Sequence, residues 1–257
     1  MLVDSHCHLN FRGLDEDLAG VLARARAAGV GYFVNIGTTR AEWPTIIATA
    51  EANADVGATV GIHPHEAEHH PDIDTAALVA AAAHPKVIGI GETGLDYYYD
   101  HSPRDQQQTS FRAHIAAARA TGLPLVVHTR DAEADTTAIL REEMAQGAFT
   151  GVIHCFTASR AFAEVALELG FYISLSGILT FKSAADIQET AKGLPADRIL
   201  VETDAPYLAP VPLRGKTCEP AYVAHTAAFL AKLRGVSEAE LAATTTANFR
   251  RLFTKAA

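Results

Sequence analysis

Short, almost wholly apolar runs alternate with longer stretches of mixed polarity along this chain. Eight of the short runs read as buried β-strands: 2–8, 30–36, 56–62, 86–92, 123–128, 150–154, 170–175 and 198–204. Between them lie Ala-, Leu- and Glu-rich stretches of helical length, among them 14–28, 41–52, 104–121, 131–146 and 160–169. Gly29, Gly122, Gly147 and Gly170 stand where these helices should end. Glycine suits that place because it takes the left-handed conformation without penalty.

Eight strands separated by seven helical segments predict an α/β fold, a single (β/α)8 TIM barrel over residues 1–257. Two extra C-terminal helices are expected at 221–234 and 237–247. An open dinucleotide-binding sheet is the rival, but no G-x-G-x-x-G follows the first strand. Residues 205–220 carry Pro206, Pro210, Pro212 and Pro220 and read as a long loop over the barrel mouth.

The ends of the strands hold the chemistry. His6, His8, Glu92, His128, His154 and Asp204 each close an apolar run, and active sites in this fold lie at the strand C-termini. His6 and His8 share one face by period-2 alternation. Glu92 has two oxygens and can bridge two cations. Asp204 can bind a metal and also accept a proton from a water that the metal acidifies. His63 reads as a donor to a substrate phosphate or a proton shuttle, and His65 as a weaker substrate contact. Asp96 reads as a carboxylate that fixes the tautomer of a ligand histidine. Glu202 lies two residues before Asp204 and is expected on the same face. Arg130 is the candidate phosphate grip. Lys182, Arg214 and Lys216 are candidates for a basic rim, and Tyr97, Tyr98, Tyr99, Phe181 and Tyr207 for base stacking.

Composition narrows the picture. Hydrophobic content of 49% and charged content of 20% mark an ordinary globular chain. The apolar runs are too short to span a bilayer, and Met1 leads straight into a strand, so a cytoplasmic protein is expected. The net charge of −9 gives no duplex-coating basic footprint in its total. Three cysteines, Cys7, Cys155 and Cys218, suggest no disulfide framework. Strand parity predicts that Cys7 and Cys155 point away from the metals.

Taken together, the motifs resemble the TatD family of metal-dependent deoxyribonucleases, within the amidohydrolase-like hydrolases. The resemblance rests on Asp4-Ser5-His6-Cys7-His8-Leu9, Gly61-Ile62-His63-Pro64-His65, Gly91-Glu92-Thr93-Gly94-Leu95-Asp96-Tyr97, His128-Thr129-Arg130-Asp131-Ala132, His154-Cys155-Phe156-Thr157, Glu202-Thr203-Asp204-Ala205-Pro206-Tyr207 and Asn248-Phe249-Arg250-Arg251-Leu252-Phe253. It implies a barrel with two divalent metals. His6, His8, Glu92 and Asp204 would hold one; Glu92, His128 and His154 would hold the other. Asp204 would be the general base, and His63 would contact the scissile phosphate. Two positions depart from the family pattern: Cys218 where Asn usually precedes Glu-Pro, and Ala158 where Gly follows Phe-Thr.

The resulting expectation is a monomeric DNase that uses a metal-activated hydroxide, exonucleolytic on single-stranded ends. The alternative is hydrolysis of another bond on the same metals, such as a D-aminoacyl-tRNA ester, a small phosphoester or an amide. Imidazole-rich sites suit zinc or manganese, whereas magnesium prefers oxygen and is the family's usual ion.

Overall fold

The structure is a computed structural model that describes residues 1–256. Eight strands form one parallel sheet in the order of the chain: β1 (Leu2–Cys7), β2 (Val30–Asn35), β3 (Val56–Val60), β4 (Val87–Asp96), β5 (Leu125–Arg130), β6 (Gly151–Ile153), β7 (Tyr172–Leu175) and β8 (Ile199–Val201). Between successive strands lie α1 (Leu18–Ala27), α2 (Trp43–Ala52), α3 (Thr75–Ala82), α4 (Arg104–Thr121), α5 (Glu133–Gln146), α6 (Arg160–Glu168) and α7 (Ala185–Gly193). The expected C-terminal pair follows as α8 (Val223–Arg234) and α9 (Glu238–Leu252). This is the (β/α)8 barrel. No described helix is long and apolar enough to cross a membrane.

Helix starts are set by polar side chains. Asp17 caps α1 by accepting the amide of Gly20, so the helix begins after a short 3-10 turn and not at residue 14. Ser159 and Ser237 cap α6 and α9 in the same way. Gly122 ends α4 at φ 70°, as expected, but Gly147 ends α5 with an extended φ of 162° that needs no glycine.

Two apolar clusters divide the interior. The larger fills the layer between sheet and helices, with Phe33, Ile46, Phe111, Leu140 and Ile173 among its members. The smaller lies within the barrel: Val3, Val34, Ile88, Val126, Val152, Tyr172 and Leu200 meet Phe249, Leu252 and Phe253 from the end of the chain. The C-terminal helix thus plugs the face opposite the strand C-termini. Gly89 lies close to this plug, since a Cβ there would sit 3.2 Å from the Phe253 ring.

Two irregularities aim side chains at the mouth. Between Asp4 and Cys7, three steps along β1 match two along β2, from Phe33 to Asn35. Between Ile90 and Thr93, three steps along β4 match two along β5, from Leu125 to Val127. Each is a bulge, and bulges re-aim side chains at barrel rims. The first carries Ser5 and His6, and the second carries Gly91 and Glu92. The sequence reading ends the fourth strand at Glu92; the bulge lets pairing resume, and β4 continues to Asp96.

The barrel closes between β1 and β8 through few bonds. Asp204 N donates to His6 O at 2.9 Å, and His8 N donates to Ala205 O at 2.8 Å. Asp4, wholly buried, accepts Thr203 N at 2.9 Å and Thr203 Oγ1 at 2.6 Å across the same seam.

Candidate metal centre

Six side chains predicted from the strand ends converge at the barrel mouth. Glu92 lies at the centre and is 2% exposed. Its Oε2 is 3.3 Å from His6 Nε2 and 3.8 Å from His8 Nε2. Asp204 Oδ1 is 3.5 Å from the first of these nitrogens and 3.4 Å from the second, which are 3.3 Å apart. These five spacings, from 3.3 to 3.8 Å, are close to the edge of about 3.4 Å that donors at the corners of a tetrahedron have around one ion with bonds of about 2.1 Å.

The other oxygen, Oε1, faces a second group. It lies 2.8 Å from His154 Nε2 and 3.2 Å from His128 Nδ1, and those two nitrogens are 3.3 Å apart. Glu92 therefore offers one oxygen to each group, as a bridging carboxylate must.

Neighbouring carboxylates select the tautomers. Asp96 Oδ2 accepts from His128 Nε2 at 2.9 Å, which puts the proton there and leaves Nδ1 free to ligate. Glu202 Oε1 accepts from His154 Nδ1 at 3.3 Å and from the Cys155 amide at 2.6 Å, leaving His154 Nε2 free. His63 is different. Its Nδ1 accepts the His65 amide at 3.1 Å, so the proton sits on Nε2, 3.4 Å from Glu92 Oε1. A protonated nitrogen cannot bind a cation, so His63 stands beside the second group as a hydrogen-bond donor although its distance would fit a ligand.

Charge balance favours a cation. Burial alone would raise the Glu92 carboxyl, but His154, His63, His6 and the His128 hydrogen bond outweigh it and hold it well below the usual range. Burial opposes charge on His154 and His128. Glu92 and Glu202 overturn that at His154 and hold it well above its ordinary value; Asp96 and Glu92 do so at His128. The carboxylates that favour protons on these rings would favour a divalent ion in the protons' place. Asp204 is held low against burial by His8 and His6. Burial pushes His63 down to about 4, so it is a neutral donor at pH 7.

Above the centre opens a cavity of about 780 Å³, ample for a phosphodiester with flanking groups. Its walls are aromatic on two sides. Tyr98 and Tyr99 stand on one, with the Arg130 guanidinium 4.0 and 4.8 Å from their ring centroids. Phe11, stacked on His8 at 4.5 Å, and Tyr207 stand on the other. Tyr97 is turned away to bond Asp135 at 2.7 Å.

Two expectations are corrected. Cys155 lines the cavity and does not point away, because β6 ends at Ile153 and Cys155 adopts a left-handed φ of 42° that breaks strand alternation. Cys7 is buried as expected, its Sγ toward Val34 O. Glu202 and Asp204 do not act as one face: β8 ends at Val201, Asp204 turns at φ 60°, and the two carboxylates serve opposite groups. One supporting residue escaped the sequence reading. Buried His114 on α4 accepts the Ile62 amide at 2.9 Å, immediately before His63. Its place on the apolar face of α4, one turn from Phe111, was the available signal.

A sequence model of the TatD-related DNases matches residues 3–254. The chain belongs to that family. It is 46% identical over 255 residues to an Escherichia coli K12 protein named as the uncharacterized metal-dependent hydrolase YcfH, covering 98% of this chain and 95% of that one. It is 35% identical over 259 residues to a Klebsiella pneumoniae protein named 3'-5' ssDNA/RNA exonuclease TatD, covering 98% and 97%. The crystal structure of the TatD homolog YJJV from E. coli K12 superposes with a TM-score of 0.92 at 29% identity, covering 98% of both chains. Family membership and the clustered donors together make this TatD-family chain a metal-dependent hydrolase.

Proposed function

We propose that this chain hydrolyses phosphodiester bonds of single-stranded nucleic acid, working from an end, with two divalent ions. The carrying observation is Glu92, whose two oxygens face two separate donor groups at 2.8 to 3.8 Å beneath one cavity. The exonuclease name of the Klebsiella relative supports the substrate class.

His6, His8, Glu92 and Asp204 would hold one ion, and Glu92, His128 and His154 the other. Such ions would supply Lewis acidity and lower the pKa of bound water to about 7. The imidazole-rich donor set suits zinc or manganese better than magnesium. Asp204 remains ionised at neutral pH and is placed to take the proton lost by the attacking water. His63 donates its Nε2 hydrogen to a phosphate oxygen. Arg130, spread over Tyr98 and Tyr99, presents a planar fork to a flanking phosphate. His65 gives its Nε2 to Asp96 at 3.0 Å, so it supports the His128 tautomer more than it grips substrate.

The test is hydrolysis of end-labelled single strands by wild type and Glu92→Gln across a divalent-ion titration. Wild-type cleavage that Glu92→Gln abolishes supports the reading; full activity in Glu92→Gln sinks it. Hydrolysis of D-aminoacyl-tRNA or small phosphoesters, with none of DNA or RNA, would give the site to the alternative.

A further inference from the structure

A second feature of the barrel mouth lies outside the metal centre. Many cations on this acidic chain are neutralised by carboxylates: Arg24 by Asp17 and Glu219, Arg26 by Asp55, Arg112 by Glu142 and Glu143, Arg119 by Glu143. Arg12, Lys182, Arg214 and Lys216 are exposed and make no ion pair or side-chain hydrogen bond among the described residues. All four stand on loops that leave β1, β7 and β8 at their C-terminal ends.

These loops are packed into one strip. Gly13 lies against Thr217, where a Cβ would sit 3.5 Å from Thr217 Cγ2, and this joins Arg12 to Lys216. Arg214 lies over the Phe181 ring at 4.1 Å, beside Lys182. Thr180 Oγ1 accepts the Val211 amide at 2.8 Å and fastens the last two loops together. At the cavity end, Arg12 follows Phe11, whose ring meets Tyr207 at 6.3 Å. The nearby carboxylates Asp17 and Glu219 turn to Arg24. Asp15 and Glu16 stand on the next turn and bound the strip.

We propose that Arg12, Lys216, Arg214 and Lys182 form a track for the phosphate backbone of an unpaired nucleic-acid strand that leaves the cavity past Phe11 and Tyr207. The proposal rests on the phosphodiesterase reading above and adds to it that the substrate is a polymer several nucleotides long. Cations without partners lose no ion pair when they meet phosphate. Aromatic rings beside them accept unpaired bases, which a bare polyanion lacks. The local strip also reconciles polyanion binding with a net charge of −9.

The test compares wild type with the variant carrying Arg12→Gln, Lys182→Gln, Arg214→Gln and Lys216→Gln. Cleavage of an oligodeoxythymidylate is measured across a salt series and normalised to turnover of bis(4-nitrophenyl) phosphate, which reports the metal centre alone. Four lost phosphate contacts should flatten the slope of log kcat/KM against log salt by about 2.8, at about 0.7 per contact for single strands. Between about 50 and 200 mM salt, the wild type should lose about fifty-fold more than the variant. Equal slopes overturn the track. Anisotropy of the same labelled oligonucleotide, with Glu92→Gln added to both proteins, reads the track without turnover. If no nucleic acid is cleaved but this binding slope flattens, the track stands and the nuclease reading fails. Inorganic polyphosphate that competes as strongly as the oligonucleotide overturns the assignment to nucleic acid.

Discussion

Replacing Asp96 with asparagine should damage one half of the metal centre and spare the other. The swap keeps the shape of the side chain. Oδ1 still accepts the amides of Tyr98 and Tyr99, at 3.1 and 3.0 Å. The atom facing His65 and His128, at 3.0 and 2.9 Å, becomes an amide donor. His128 must then present a lone pair at Nε2 and carry its proton on Nδ1, the atom 3.2 Å from Glu92 Oε1. That proton blocks ligation. Loss of such a supporting carboxylate costs about 10- to 100-fold in metal affinity, or about 1.4 to 2.8 kcal/mol. Calorimetric titration with zinc against a competing chelator should show two ions in the wild type. In the variant one ion should be weakened by that factor and the other unchanged, because Asp96 touches none of His6, His8 and Asp204. Asp96→Ala, which leaves the ring free to choose its tautomer, should harm the site less than asparagine. Unchanged affinity for both ions, or an equal loss of both, would refute the tautomer argument.

Further outcomes follow from the packing. Burial pushes the His114 imidazole down to about 4, against about 6.5 unfolded, so its stabilising contribution is complete above pH 6.5 and falls away toward pH 4. The loss reaches about 3 kcal/mol, and urea unfolding should show it in the wild type and much less of it in His114→Gln. A Cβ at Gly61 would lie 2.6 Å from the Glu92 carbonyl oxygen; Gly61→Ala should cost about 1–3 kcal/mol and weaken both ions, whereas wild-type melting and metal affinity would contradict it. Gly193, at the end of α7, has no neighbouring atom within 4 Å of its would-be Cβ, so Gly193→Ala should raise stability by about 0.4–1 kcal/mol, read as a higher melting temperature.

The strands were legible because burial on both faces leaves them short and apolar, and each run stops at a residue too polar for the core. That pattern brought His6, His8, Glu92, His128, His154 and Asp204 forward together. What the pattern could not show depends on contacts distant in the chain. The bulges at Ser5-His6 and Gly91-Glu92 are register shifts against a neighbouring strand, and no local propensity encodes them. The left-handed turns of Cys155 and Asp204 are imposed by the rim, so alternation misplaced the first and grouped the second with Glu202. The sequence marks Asp96 as a candidate tautomer-setting carboxylate, but its sharing between His65 and His128 is visible only with the loops folded over the mouth. The place of His114 on the buried face of α4 signals a role, but its partner, the Ile62 amide, lies 52 residues away in the chain and only the fold brings the two together.

The seam between β1 and β8 has a consequence for how the protein is made. The bonds that shut the barrel run through His6, His8 and Asp204, so completing the cylinder and completing the chemistry are one event. Synthesis proceeds from the N-terminus, and Asp204 emerges after almost four-fifths of the chain. A polypeptide that stops between His154 and Asp204 carries five of the six donors yet lacks the carboxylate that faces His6 and His8. The full donor set therefore exists only in molecules whose last barrel strand has docked.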